Sequence, residues 1–211
     1  MSEGEWTKML ETDEAERKTQ VISAVCAELT ANDVGSATAM LKAKYPFLPF
    51  RNIGRGYSTI ESLKIFSRDG FVDRYSGLRM VFPGSLRILS LRMPEAFPFH
   101  KNGKTDECHF AYWELFPTID HVVPVSRGGK DDPTNWVTTS MAKNAAKANF
   151  TLEEINWQLL PGGDVKVWDG QMSWFKSEVK RDSALLQNPY ISRWYQAASA
   201  VPQVLGNQDG I

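Results

Sequence analysis

The stretch IDHVVPVSRGGKDDPTNWVTTSMAKNAAKAN, residues 119–149, constrains the fold of this chain more than any other part of it. Residues 118–123 are short and β-branched, follow Pro117 and are stopped by Pro124, which predicts a strand. The polar run 126–134, with Gly128, Gly129 and Pro133, must be a loop. Residues 136–139 read as a second short strand, and Ser140 is placed to cap a helix over 141–148, rich in Ala and Lys. On that helix Asn144 and Lys147 stand at i and i+3 and share a face.

The polar residues of this segment suit hydrolysis of a phosphodiester. Asp120 and Asn144 are hard oxygen donors of the kind that hold Mg²⁺, Mn²⁺ or another divalent cation, which takes only one or two protein groups and keeps water and phosphate in its other positions. His121 accepts a proton near neutrality and is the natural general base for a water. Attack on phosphorus builds negative charge on the equatorial and leaving oxygens, which a cation and Lys147 would stabilise. Arg127, Lys143 and Lys147 are the candidate nucleic-acid contacts. Adjacent strand residues point to opposite faces, so Asp120 and His121 share a cleft only if a bend or bulge intervenes.

Plainer readings stand beside these. Asp-His can be a hydrogen-bonded strand end, Asn135 a loop residue bonding nearby backbone, and Lys147 a solvated lysine as readily as a phosphate contact. His109 reads as a packed or surface imidazole, and His100 as a loop residue.

Strand, long loop, strand and helix with Asp-His at one end and Asn on the helix resembles the ββα-metal fold of HNH nucleases. The resemblance implies Asp120 and Asn144 as metal ligands, His121 as general base and Asn135 as the residue fixing the loop that orients the histidine, an H-N-N variety. The spacing from Asp120 to Asn135 to Asn144 is similar to that of the HNH module of CRISPR effector nucleases, and SRGGKDDPTN is typical of the wider family. With DRYSG, LRILS, YWELFPTIDH and NWVTTSM as markers, residues 57–174 resemble one bacterial subgroup of HNH proteins. One departure concerns zinc. A run similar to IFSRDGF, residues 65–71, often brings a first Cys-x-x-Cys pair, but Asp73 and Ser76 stand where Cys is expected. Cys26 and Cys108 are too few and too far apart for a structural zinc site, so no structural zinc is expected and apolar packing should replace it.

The implied fold class is α+β, with a ββα-metal (HNH) core at about 117–149 embedded in a larger single domain with flanking helices. Residues 1–50 form an N-terminal helical appendage, 51–180 the nuclease domain, and 181–211 a C-terminal helix and loose tail. The implied function is a metal-dependent endonuclease acting on DNA, in restriction or defence or in a mobile element. Two alternatives stay open: an HNH-like nucleic-acid-binding module without catalysis, and an enzyme that cleaves RNA. A double cut with one site per chain favours a homodimer.

Composition agrees with a soluble intracellular enzyme. At 211 residues the chain can bury a real core, and 42% apolar content with seven Trp argues against disorder. No segment has the apolar length of a membrane helix, residues 1–17 are acidic and polar unlike a signal peptide, and two cysteines give no hint of an oxidising compartment; cytoplasm is expected, with no membrane partner. A net charge of −1 does not advertise nucleic-acid binding. It also counts against the colicin-type HNH toxins, which tend to be strongly basic. Between Arg51 and Lys104, however, ten basic residues meet four acidic ones, a candidate DNA-facing flank. Within it Arg87 and Arg92 lie in an apolar stretch, where a buried ion pair or snorkelling competes.

Outside the core, residues 1–18 should be frayed, and 19–29 and 36–44 helical, with Gly35 and Pro46 as breaks. GRGY, residues 54–57, enters a helix over 59–66 with Ser58 as cap. TLEE at Thr151 is a capping-box pattern that should open a short helix. Trp168-Asp169-Gly170 reads as a turn before an amphipathic helix over 172–179 that docks Trp174 and Phe175 on the core. From Ser199 onward a loose tail is expected.

Overall fold

The computed structural model describes the backbone of residues 3–47 and 56–205, and the side chains of 16–47 and 56–201. The chain divides into two compact units, Met1–Asn52 and Ile53–Ile211. The described residues are mixed α+β, with helices around one two-stranded antiparallel sheet.

The first unit pairs α1 (Glu3–Thr30) with α2 (Val34–Lys44). Fraying over residues 1–18 was the expectation, but α1 runs from Glu3, because Glu, Lys, Arg, Ala, Met and Leu dominate the segment and all are strong helix formers. The turn between the helices places Asn32 at φ +60°, and the Asp33 carboxylate caps α2 by accepting from the Ser36 amide at 2.8 Å. Gly35 therefore falls in the first turn of α2 and breaks nothing. Arg51, Arg55 and the start of GRGY lie outside the described residues.

The second unit packs α3 (Thr59–Arg68), α4 (Pro83–Arg92), α7 (Met172–Arg181) and α8 (Pro189–Leu205) around Leu63, Phe66, Phe82, Ile88, Phe175 and Trp194. The capping box of α3 is made: Ser58 N–H donates to Glu61 at 2.9 Å and Glu61 N–H to Ser58 Oγ at 3.2 Å. Those bonds hold the Glu61 carboxyl below its ordinary range. Helix α4 had only been read as apolar scaffold; Pro83 starts it in the first turn, where a missing N–H costs nothing. Gly84 lets it close on the core, since a Cβ there would come within 2.5 Å of the Phe175 ring.

Two other expectations fail for identifiable reasons. The tail predicted from Ser199 is helical to Leu205, because Ala197, Ala198 and Val201 are almost wholly buried and lock α8 to the core. At Thr151 the capping box forms, with Thr151 N–H to Glu154 at 2.8 Å and Glu154 N–H to Thr151 Oγ1 at 3.3 Å. No helix follows, because Asn156 takes φ +53° and the Trp157 amide closes the turn on the Leu152 carbonyl at 2.8 Å. At α7 the Asp169 carboxylate receives the Gln171 and Ser173 amides, at 2.9 and 2.8 Å. Phe175 is fully buried and Trp174 packs half-buried against the core, as the sequence indicated.

A short helix, α5 (Ala111–Glu114), leads into the hairpin of β1 (Pro117–His121) and β2 (Trp136–Ser140). The register pairs Pro117 with Ser140, Asp120 with Val137 and His121 with Trp136. Helix α6 (Met141–Lys147) follows at once, with Ser140 Oγ accepting from the Lys143 amide at 3.1 Å. The strand, loop, strand and helix read from sequence are thus present with bounds moved by two residues at most.

Two buried carboxylates fasten the 69–77 loop to β2. Asp73 accepts from the amides of Tyr75 (2.9 Å), Ser76 (3.2 Å) and Ser140 (2.9 Å) and from Thr139 Oγ1 (3.2 Å). Asp69 accepts from the Thr138 amide at 2.7 Å and pairs with Arg68 and Arg74 at 2.9 and 3.0 Å. The expectation that apolar packing stands in for a zinc site here is corrected: at Asp73 the work falls to a charged acceptor, whose hydrogen bonds are about twice as strong as neutral ones. Asp73→Ala should therefore cost about 3 kcal/mol or more, from several buried donors losing their acceptor. Urea unfolding reads this, and an unmoved midpoint would show that the carboxylate does not hold the hairpin.

Candidate functional site

Helix α6 lies on β1 through two side chains of the face that the i, i+3 spacing predicted. Asn144 Nδ2 donates to Thr118 Oγ1 at 3.1 Å and to the Ile119 carbonyl at 3.2 Å. Lys147 Nζ donates to the His121 carbonyl at 2.7 Å and stands 2.9 Å from Asp120 Oδ2. The same oxygen accepts the Tyr75 hydroxyl at 2.7 Å, and the Lys147 ammonium lies 5.8 Å from the Tyr75 ring centroid. Lys147 is wholly buried, so neither reading of it from sequence survives: it is not a solvated lysine and not a phosphate contact. A carboxylate almost fully removed from water needs a buried cation, and Lys147 supplies it.

Burial and the neighbouring Asp120 push the Tyr75 hydroxyl far above its ordinary range, so it stays protonated in the fold. The unfolded phenol ionises near pH 10. Because the folded value is raised, the stability it contributes is complete below about pH 10 and is lost as pH climbs above it. Thermal melts between about pH 8 and 11 should show the loss, and Tyr75→Phe should flatten that alkaline limb; an unchanged limb would exclude Tyr75 as its source.

His121 sits on the other face. The β1–β2 register passes through both residues without a bulge, so the bend that would bring Asp120 and His121 into one cleft is absent and their side chains leave the strand on opposite sides. The imidazole is 2% exposed. Its Nε2 lies 2.7 Å from Asp131 Oδ1, and the Trp136 indole N–H points at both, 3.0 Å from Nε2 and 3.1 Å from Oδ1. Trp136 stands edge-on to the imidazole, 6.3 Å between ring centroids, and Tyr57 in turn meets Trp136 at 4.9 Å.

The loop between the strands is braced by Asn135. Its Oδ1 accepts from the Val123 amide at 2.9 Å, and its Nδ2 donates to the carbonyls of Val123 and Lys130, both at 2.8 Å. Gly129 is required where the loop crosses itself, since a Cβ there would fall 1.9 Å from the Val123 carbonyl oxygen. Asp132 folds the next turn by accepting from Thr134 N–H at 2.9 Å and Thr134 Oγ1 at 2.5 Å, which lowers its pKa. Arg68 reaches the Pro133 and Trp136 carbonyls at 2.8 and 2.6 Å. Asn135 thus acts on loop backbone, which is also the role that the HNH resemblance implied for it.

The basic residues are less available than their number suggested. Arg68 and Arg74 pair with buried Asp69, Arg92 pairs with Asp182 at 2.6 Å, and Arg87 stacks 4.0 Å above the Phe99 ring. Arg127 remains about half exposed beside Glu154 at 3.2 Å, and Lys143 lies 4.5 Å over the Trp157 ring. His109 stacks on Phe97 at 4.2 Å, and His100 Nδ1 accepts from the Asn102 amide at 3.2 Å, so both belong to their loop.

Sequence reasoning missed Tyr75, Asp131 and Trp136. Tyr75 sat unremarked in DRYSG, and Asp131 in the loop text that was itself quoted; the aspartate next to the predicted loop brace was the available signal.

Among the described residues no cluster of three or more His, Cys, Asp and Glu could hold a metal. The pair Asp120 and Asn144 does fit a hard cation that asks for one or two protein oxygens. Tyr75 and Lys147 both bind Asp120 Oδ2, which leaves Oδ1, and Asn144 is held through its amide nitrogen, which leaves its carbonyl oxygen. No helix among the described residues is long and apolar enough to cross a membrane. Comparisons with protein-family models, with curated proteins and with solved structures found no match.

Proposed function

We propose that this chain is a metal-dependent endonuclease whose β1, β2 and α6 form a ββα-metal core of the HNH type, and that its substrate is DNA. The observation that carries the reading is the position of Asp120 and His121 as the last two residues of β1, on opposite faces and each held by its own partners. In-line displacement at phosphorus sets the attacking water and the leaving oxygen on opposite sides. A phosphodiester lying across the end of β1 would meet the imidazole on one side and the carboxylate on the other.

Asp120 and Asn144 are the residues that would hold the cation, Mg²⁺ or Mn²⁺ by donor type. Once bound, such a cation supplies Lewis-acid stabilisation of the charge that builds on phosphate and leaving oxygen. His121 takes the proton of the attacking water. Lys147 and Tyr75 keep the Asp120 carboxylate oriented, and Asn135 braces the loop beside His121. Arg127 and Lys143 are the cations on the outer side that would meet flanking phosphates. A cytoplasmic setting, a homodimer for a double cut, and a role in defence or a mobile element follow from this reading.

The near-complete burial of His121 favours a second reading, an HNH-like module that binds nucleic acid without cutting it. Supercoiled plasmid at low salt, with Mg²⁺ or Mn²⁺, separates the two beside EDTA and His121→Ala controls. Nicked or linear product that vanishes in both controls supports the enzyme. A plasmid shifted on a gel but never cut overturns it in favour of the binding module, and cleavage confined to a parallel RNA substrate overturns the choice of DNA.

A further inference from the structure

We propose that Asp131, aided by Trp136, is a positioning residue that fixes the tautomer and the ring orientation of His121; its consequence for catalysis rests on the nuclease reading, whereas the tautomer itself does not. Three polar atoms meet at one point: His121 Nε2, Asp131 Oδ1 at 2.7 Å from it, and Trp136 Nε1 at 3.0 and 3.1 Å from those two. An indole N–H only donates and an ionised carboxylate only accepts. Were Nε2 unprotonated, its lone pair would face the Asp131 oxygen at hydrogen-bond distance with no proton between them. The consistent arrangement puts the proton on Nε2, donated to Asp131 Oδ1, with the Trp136 N–H donating to the same oxygen. In the neutral ring the basic lone pair then belongs to Nδ1, so any proton that His121 accepts arrives at that nitrogen.

The surroundings make Asp131 suited to hold a ring and nothing else. His121 pairs with Trp136 directly across the hairpin, which fixes the ring from the side. Asp131 reaches Nε2 from the loop that Asn135 ties to Val123 and Lys130. Its carboxylate is about half exposed, whereas the imidazole is 3% exposed in its side chain, so the acidic group lies at the surface and the histidine beneath it. A carboxylate behind an imidazole makes the ring a stronger base and holds its tautomer, as outer partners do for histidines elsewhere.

The test reads the ring first. Nitrogen-15 correlation spectra of the full chain at about pH 8, with the His121 signals assigned by comparison with His121→Ala, should show the proton on Nε2. In Asp131→Ala the Nε2–H pattern should give way to the other tautomer or a mixture, and Asp131→Glu should restore part of it. A wild-type ring carrying its only proton on Nδ1, or a pattern unchanged in Asp131→Ala, overturns the proposal whether or not plasmid is cut. In the cleavage assay Asp131→Ala should lower kcat about 10- to 100-fold, the usual range for such outer partners, with KM nearly unchanged and part of the loss recovered by Asp131→Glu. An unchanged kcat with an altered tautomer would overturn the catalytic consequence, and a wild-type chain that cuts nothing would tell against the nuclease reading while the spectra still decide the assignment of Asp131.

Discussion

Replacing Lys147 with Ala is expected to cost the Ile53–Ile211 unit about 3–5 kcal/mol, the usual penalty for removing one member of a buried ion pair. The ammonium is wholly buried, 2.9 Å from Asp120 and 2.7 Å from the His121 carbonyl, so its loss strands a carboxylate, a backbone oxygen and a cavity together. At roughly 2–4 °C per kcal/mol for a unit of this size, the melting point should fall by about 6–20 °C. Lys147→Met restores the volume but not the charge and should recover little. Adding Asp120→Asn to Lys147→Met removes the orphan charge and should return a substantial part, because a buried pair exchanged whole is often neutral where half a pair is not. Calorimetry on the four proteins closes the cycle. Were Lys147 a phosphate contact, Lys147→Ala would instead leave the melting point in place and weaken DNA binding with a shallower salt dependence.

The hairpin and helix were legible because their boundaries are punctuated by residues with little conformational choice. Pro117 and Pro124 bracket β1, Gly129 permits a crossing that no Cβ could share, and Ser140 caps α6. The shared face of Asn144 and Lys147 was legible for the same reason, since helical geometry alone fixes it. What that face would meet was not legible. Burial of Lys147 depends on Tyr75 and Asp120 arriving from two other segments, and nothing within α6 announces them. Asp69 and Asp73 illustrate the same gap, because their partners Thr138, Thr139 and Ser140 lie across the fold. At the C-terminus the polar composition after Ser199 described the outer side of α8, while Val201 turns inward to the core. At Thr151 the local signal was real and its bonds formed, but a cap only begins a helix, and Asn156 ended this one within a turn.

His121→Ala should lower the turnover of plasmid cleavage by about 10²- to 10⁴-fold at saturating cation, the range that general-base catalysis contributes. The ring is buried against Trp136 and Asp131, so truncation also removes packing, and the folded fraction has to be matched by circular dichroism before rates are compared. A cavity of that shape offers a chemical control. Exogenous imidazole should re-enter it beside Asp131 and return part of the activity, and this return should be absent when Asp131→Ala is combined with His121→Ala. Asp120→Ala should fail differently, with a loss that imidazole does not relieve, because it removes a cation donor from the other face of β1. Activity in His121→Ala within about threefold of wild type, still abolished by EDTA, would assign the base to another group, since a general base of this kind carries at least about a hundredfold. The chain would then keep its cation-dependent chemistry, and the triangle of His121, Asp131 and Trp136 would be a structural lock on the loop.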